Sequence, residues 1–231
     1  MFVGRATHFV SHAWCYRFHD VVDALESFVE REGLDETNTF FWFDTMVVNQ
    51  HYGSKKFTPG ELKEVFGPAV EAIGHTVAIF DRWDKSAYIG RIWCLYEMLI
   101  TLQTQASKGT RLSVLLPNAQ RDHLYATMRT DFNSIVGHLS KIDVKRAEAR
   151  EESDREAILA AVEEYAGGSE AVNALVIREI RDWLRGSAQA AAEGLGEQMS
   201  AEAAQLWDGI GRLHELQVSG SNNLQACCVV C

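Results

Sequence analysis

Three short segments hold the residues best suited to chemistry: His8-Phe9-Val10-Ser11-His12, Phe41-Trp42-Phe43-Asp44 and Arg91-Ile92-Trp93-Cys94-Leu95-Tyr96-Glu97. The first two are apolar runs that end abruptly in hydrogen-bonding side chains. The third sets one carboxylate in an otherwise apolar helical stretch. A carboxylate is costly to bury unless it is paired or used, so Glu97 marks a candidate site. Side chains just past the strand ends of an alternating strand–helix chain gather on one rim of the sheet, where such folds bind ligands. The candidates for that rim are Ser11 and His12 after the first strand, Asp44 after the second, Asp81 and Asp84 after the third, and Trp93 and Glu97 in the next helix. Trp93 and Glu97 lie one turn apart on one helix face. The indole would stack on a planar ring while the carboxylate receives hydroxyls or positive charge. The competing reading pairs Glu97 with Arg91 or a nearby lysine on a solvated face.

Other polar groups read as structural. His8 and His12 would be neighbours on a helix but lie on or just after a strand, and His19, His51 and His75 are scattered, so no metal is expected. Cys94 reads as a small core residue. Asp44 either binds ligand or caps the turn after it. Asn49 and Gln50 either position substrate or hold their loop.

The elements that must position these residues follow from periodicity. Residues 7–15 read as a buried strand leaving into a loop. Val21, Val22, Leu25, Phe28 and Val29 then recur at helical spacing, and Gly33 closes that helix. Phe40 to Phe43 read as a strand buried on both sides. Residues 45–57 form a long polar loop, a length that marks functional or mobile segments. Thr58-Pro59-Gly60-Glu61 is a capping box opening a helix through Ile73, with a kink or break expected at Pro68. His75 to Phe80 is a third strand and Tyr88 to Thr104 the helix carrying Glu97, with Ile92, Leu95, Leu99 and Leu102 as its core stripe. Arg111 to Leu116 is a fourth strand, 119–132 a helix, and Lys141 to Val144 a short last strand.

This alternation implies a flavodoxin-like α/β fold: a parallel sheet of four or five strands, helices on both faces and right-handed crossovers. The α/β domain is expected over 1–145. A helical hairpin follows over 146–186, opened by the capping box Ser153 to Glu156, broken at Gly167-Gly168 and ended at Gly186. Residues 187–231 read as an alanine-rich helical arm and a disordered tail.

Composition bounds the function. The 231 residues are 47% apolar and 23% charged, ordinary for a soluble domain, with net charge −10 and pI near 5.3. No basic stripe exists to displace phosphate counterions, so nucleic acid is not an expected partner. No apolar run approaches the roughly 18–20 residues of a membrane span, and no signal peptide is read at the start. Five cysteines, two isolated and three in Cys227-Cys228-Val229-Val230-Cys231, make no disulfide framework, so a cytoplasmic setting is expected. That terminal segment has the outline of a prenylation box with an atypical last residue, and membrane attachment is expected only if these cysteines are lipidated; a truncated chain end explains it equally well.

Phe9-Val10-Ser11-His12, Phe41-Trp42-Phe43-Asp44 and especially Trp93-Cys94-Leu95-Tyr96-Glu97 resemble, in order and spacing, the boxes of Toll/interleukin-1 receptor (TIR) domains of the plant type. Phe41 to Asp44 with Val48-Asn49-Gln50 also resembles a box of fungal heterokaryon-incompatibility domains. The resemblance spans roughly residues 5–145. It departs at Gly90, where a serine or threonine often precedes the third box, and at His12-Ala13-Trp14. It implies a signalling or innate-immunity role. It further implies that Glu97 cleaves the nicotinamide–ribose bond of NAD+, a substrate rather than a cofactor, and that activity depends on self-association or on other TIR-like domains. Many TIR domains are non-catalytic adaptors, which is the alternative function. A nucleoside deoxyribosyltransferase-type enzyme, which also uses a glutamate on a flavodoxin-like sheet, is the second alternative.

Overall fold

The computed structural model describes residues 3–47, 67–131, 134, 135, 138, 142–194, 208 and 211. The elements that bear on the site are β1 (His8–Ser11), α1 (Phe18–Arg31), β2 (Phe41–Trp42), α2 (Asp44–Val47), α3 (67–73), β3 (His75–Ile79), α4 (Ile92–Lys108), β4 (Arg111–Leu115) and α5 (Asn118–Thr130). A 3-10 turn (Val144–Arg146), α6 (Glu152–Glu163) and α7 (Gly168–Gly194) follow. The chain divides into two compact units, Met1–Arg121 with Ile142–Val176 and Asp122–Lys141 with Ile177–Cys231. Among the described residues no helix is long and apolar enough to cross a membrane.

The first unit is a flavodoxin-like α/β fold. Its four strands are all parallel, in the order β2-β1-β3-β4. Because side chains alternate along a strand, the register sorts them cleanly. Val10 pairs with Val77, and Ile79 with Leu115, on one face. There α1 lays Val21, Ala24, Leu25 and Phe28, spaced at helical period, into a single apolar cluster with those strand residues. On the same side α1 caps α5: the Asp23 carboxylate accepts from the Asn118 backbone N–H (2.6 Å) and side-chain amide (2.7 Å). On the opposite face Phe9 pairs with Thr76, and Ser11 with Ala78. This is the face that α4 covers, with Thr76 Oγ1 and Thr101 Oγ1 2.8 Å apart.

Helix α4 is buried almost all round. Ile92, Leu95, Leu99 and Leu102 form the expected stripe, and Cys94, Tyr96, Met98 and Ile100 are buried as well. The second layer over it is α6, which is part of the same compact unit. A short parallel bridge clips the start of α4: Ile92 N–H donates to the Glu148 carbonyl (3.0 Å) and Glu148 N–H to that of Gly90 (2.8 Å). Arg155 of α6 holds the clip, donating from Nε to the Ala147 carbonyl (2.9 Å) and from Nη2 to that of Lys145 (2.6 Å).

Several boundaries differ from the sequence reading. The Glu97 helix starts at Ile92 rather than Tyr88, because Arg91 is held extended in the bridge and 87–90 form a turn; it ends on Gly109, whose left-handed φ of 69° suits glycine. The strand expected from Lys141 to Val144 is absent where it is described: the Asp143 side chain accepts from the Lys145 N–H, closing a 3-10 turn instead. Lys141 itself lies outside the described residues. β2 is a two-residue edge strand, half-buried rather than enclosed on both sides. Residues 45–47 belong to α2 rather than to a loop. The remainder of that loop (48–57), with Asn49, Gln50 and His51, lies outside the described residues, as do the Thr58 to Glu61 capping box and the Cys227 to Cys231 segment. The helix that the box was to open is described only over 67–73, a helical stretch that includes Pro68.

Ser153 sits inside the first turn of α6, whose N-cap is Glu151 with no side-chain cap. α7 passes through Gly186 to Gly194 without a break. Ile180, Leu184, Ala188 and Ala192, buried at four-residue spacing, offset the roughly 1 kcal/mol that an interior glycine costs.

Arg155→Ala should destabilise the protein by about 1 kcal/mol, because the Ala147 and Lys145 carbonyls lose a charged donor. A denaturant melt in which the variant matches the wild type would show that the clip forms without it.

Candidate functional site

Ser11 is the last residue of β1, fully buried, with its side chain on the α4 face. Glu97 lies in the second turn of α4 and is 7% exposed. Their oxygens, Ser11 Oγ and Glu97 Oε2, are 2.5 Å apart. Ser11 Oγ is also 2.8 Å from the Tyr88 hydroxyl, which donates to the Cys94 carbonyl at 2.9 Å. Tyr88 is fully buried, stacks on Phe80 at 4.8 Å between ring centroids, and is delivered by the turn between β3 and α4. The solvated-face reading of Glu97 is therefore excluded: the carboxyl is buried and its partner is a strand-end serine.

The sequence-derived groups fall into three sets. Ser11 and Glu97 touch. Asp44, at the first position of α2, is near enough for its charge to act on Glu97, and is itself held by Trp14 Nε1 (2.6 Å) and by the Thr45 N–H (2.6 Å). It thus caps a turn and faces the site. His12 has Phe43 edge-on at 5.7 Å, and its buried Nδ1 has no hydrogen-bond partner among the described residues. Trp93, half-buried, is one turn before Glu97 on its face of the helix. Asp81 braces the turn that carries Tyr88, accepting from the Ala87 N–H (3.0 Å) and the Ser86 hydroxyl (3.2 Å). Asp84 pairs with Arg82 through two 2.9 Å bonds. The two aspartates after β3 are thus occupied with their own loop.

Two contributors were not picked out by sequence reasoning. Tyr88 was placed at a helix start, where no apolar periodicity distinguishes it. Trp14 was noted only as a departure from the family pattern, yet it is 58% exposed beside Asp44 and offers an aromatic face at the rim. An exposed tryptophan two residues past a strand-end polar pair is the signal that would have found it.

Burial pushes the Glu97 carboxyl up to about 8; the Ser11 hydroxyl opposes this and the Asp44 charge adds to it. Burial likewise raises the Tyr88 hydroxyl and the Cys94 thiol. Cys94 is therefore an inert core thiol rather than a nucleophile. His12 is lowered by burial, with Asp44 and the Val10 backbone acting against that. Among the described residues no group of three or more His, Cys, Asp or Glu side chains could hold a metal ion. Such an arrangement can present one carboxyl of adjustable charge, a neighbouring hydroxyl and aromatic faces to a polar organic substrate. No family model, no curated protein and no solved structure matches this chain.

The raised Glu97 carboxyl links stability to pH. Between its ordinary value of 4.5 and about 8 the folded state holds a proton that the unfolded chain releases, so stability falls as pH rises, by up to about 1.4 kcal/mol per unit. His75, lowered to about 4 by burial, has the opposite sign, adding stability as pH rises from 4 to 6.5. Below pH 6.5 the lowered His75, His8 and His12 oppose Glu97, and between pH 6.5 and 8 these histidines no longer do. Between pH 6.5 and 8 the melting temperature of the wild type should fall while that of Glu97→Gln stays level. Parallel curves for the two proteins would show that Glu97 is ionised throughout.

Proposed function

We propose that this protein is a TIR-like NAD+ nucleosidase in which Glu97 acts on the bond between nicotinamide and ribose, in a signalling or defence role and with activity that depends on self-association. The observation that carries the reading is the placement of a buried carboxyl at the carboxyl rim of a parallel sheet, joined to the strand-end hydroxyl of Ser11. The resemblance of the three boxes adds the substrate.

The chemistry suits the residues. Nicotinamide departs as a neutral ring carrying the bonding electron pair, so it needs no proton from the protein. The ribose is left with oxocarbenium-like positive charge, which a nearby carboxylate stabilises strongly in a water-poor setting. Glu97 supplies that charge when ionised and Ser11 orients it. Trp14, exposed beside Asp44, and Trp93, one turn from Glu97, offer aromatic faces for the planar rings of the dinucleotide.

A second reading, a non-catalytic interaction module, is favoured by a groove of about 940 Å³ between α1 and the sheet edge. Phe18, Val22, Val29, Leu34, Phe41 and Phe43 make it apolar, and Glu26, Glu30 and Glu36 lie along it, so the partner it suits is an apolar segment bearing basic residues.

Purified protein incubated with NAD+ should release nicotinamide, with rate per molecule rising as protein concentration rises. Glu97→Gln, which keeps volume and removes charge, should lower that rate on the order of 100–1000-fold while retaining a cooperative melt. Absence of nicotinamide release across a hundredfold concentration series would overturn the nucleosidase reading.

A further inference from the structure

The contacts around Glu97 can be counted in protons. Three oxygen–oxygen contacts run in line: Glu97 Oε2 to Ser11 Oγ at 2.5 Å, Ser11 Oγ to the Tyr88 hydroxyl at 2.8 Å, and that hydroxyl to the Cys94 carbonyl at 2.9 Å. Each needs one hydrogen. Ser11 and Tyr88 have one each, and the Cys94 carbonyl has none. With Glu97 ionised, two hydrogens serve three contacts and one pair of oxygens meets without a proton. With Glu97 protonated the count closes: its hydroxyl serves Ser11, Ser11 serves Tyr88, and Tyr88 serves the carbonyl. Ser11 and Tyr88 are fully buried, so water does not supply the missing hydrogen to them.

We propose that Tyr88, acting through Ser11, is a positioning residue that keeps Glu97 a neutral acid in the resting protein and releases it as a carboxylate when the row of hydroxyls reverses. The inference deepens the reading of Glu97 as the reacting carboxylate and rests on it for its functional meaning. In the reversed state Tyr88 turns from the Cys94 carbonyl to Ser11, and Ser11 turns its hydrogen to Glu97. The proton leaves Glu97 for solvent or for the bound substrate's surroundings. The cost is one hydrogen bond to the Cys94 carbonyl, which keeps its helical partner four residues on. Two arrangements differing by one bond make a bistable element.

The groups facing this row are consistent with it. Asp44 approaches from α2 and disfavours a second negative charge. Tyr16, from the β1–α1 loop, and Asp81 beyond it add no cation, and burial holds the Tyr16 hydroxyl protonated. Cys94, on α4 itself, is a protonated thiol, with Arg91 acting on it from the helix start and Cys15 from the loop after β1. Burial lowers His12, against the nearby Asp44 charge. α6 packs on α4 with the apolar Ala157, Ile158, Ala161 and Val162, and on the Ser11 face β3 and β4 bury Ala78 and Val114. Burial of the carboxyl agrees in direction.

The test is infrared difference spectroscopy of the full chain titrated from pH 5 to 10, with no substrate present. The wild type should show a protonated-carboxyl band that disappears with a midpoint near 8 and is missing from Glu97→Gln. Tyr88→Phe leaves the Ser11 hydrogen no acceptor except Glu97, so its midpoint should fall by about one pH unit or more. Ser11→Ala removes the donor to the carboxylate, so its midpoint should rise. Opposite shifts support the proposal; a merely packing role for Tyr88 leaves its midpoint unmoved and overturns it, as does a wild-type midpoint in the ordinary carboxyl range. If Tyr88→Phe does not fold, the wild-type midpoint and the Ser11→Ala shift decide. Because no NAD+ is used, failure of the nucleosidase reading shows separately, as absent nicotinamide release with the titration intact.

Discussion

A carboxyl group placed in a hydrophobic layer has to find a hydrogen-bond partner, and in this protein that requirement joins elements 86 residues apart in the chain. Ser11 can meet Glu97 because β1 lies beside β3 at the middle of the sheet and its alternation turns Ser11 away from the α1 core. A slip of one residue would put Val10 against α4 and leave the carboxyl unpaired. The register of β1 and the position of α4 are thus fixed by the same contact that makes the site.

The layers outside α4 serve that contact. A helix buried on nearly every side cannot adjust easily, since its neighbours are close-packed. Its start is further held by the bridge between Arg91 and Glu148, and Arg155 fixes the segment that forms the bridge. The chain after the sheet therefore does more than extend the domain. It sets where the first turn of α4 begins, and with it where Tyr88, Trp93 and Glu97 stand.

On the proposed nucleosidase reading, burial and catalysis make opposite demands on Glu97. Exclusion of water strengthens the carboxylate's attraction for developing positive charge, yet the same exclusion favours the neutral acid. A row of hydroxyls able to point either way reconciles the two, because it stabilises the proton in one arrangement and the charge in the other. Asp44 sharpens the choice, since two carboxylates close together resist being ionised at once.

Much of this was legible in the sequence. The alternation of apolar strands and amphipathic helices gave the parallel α/β fold, because a 2.0 or 3.6 period is a local property that needs no knowledge of neighbours. β1, β3 and β4, the α1 face and the stripe Ile92, Leu95, Leu99 and Leu102 follow from it directly. Glu97 and Ser11 were recognisable as an isolated carboxylate and a strand-end hydroxyl. Their contact was not, since it depends on which strands pair and in what register. The start of α4 was misjudged by four residues because a segment near Glu148 competes for the Arg91 backbone, and no local signal reports that competition. Tyr88 became part of the site only once the turn at 87–90 had placed its hydroxyl between Ser11 and the Cys94 carbonyl. Residue types and their spacing determined what chemistry was possible, and long-range pairing decided which groups share a proton.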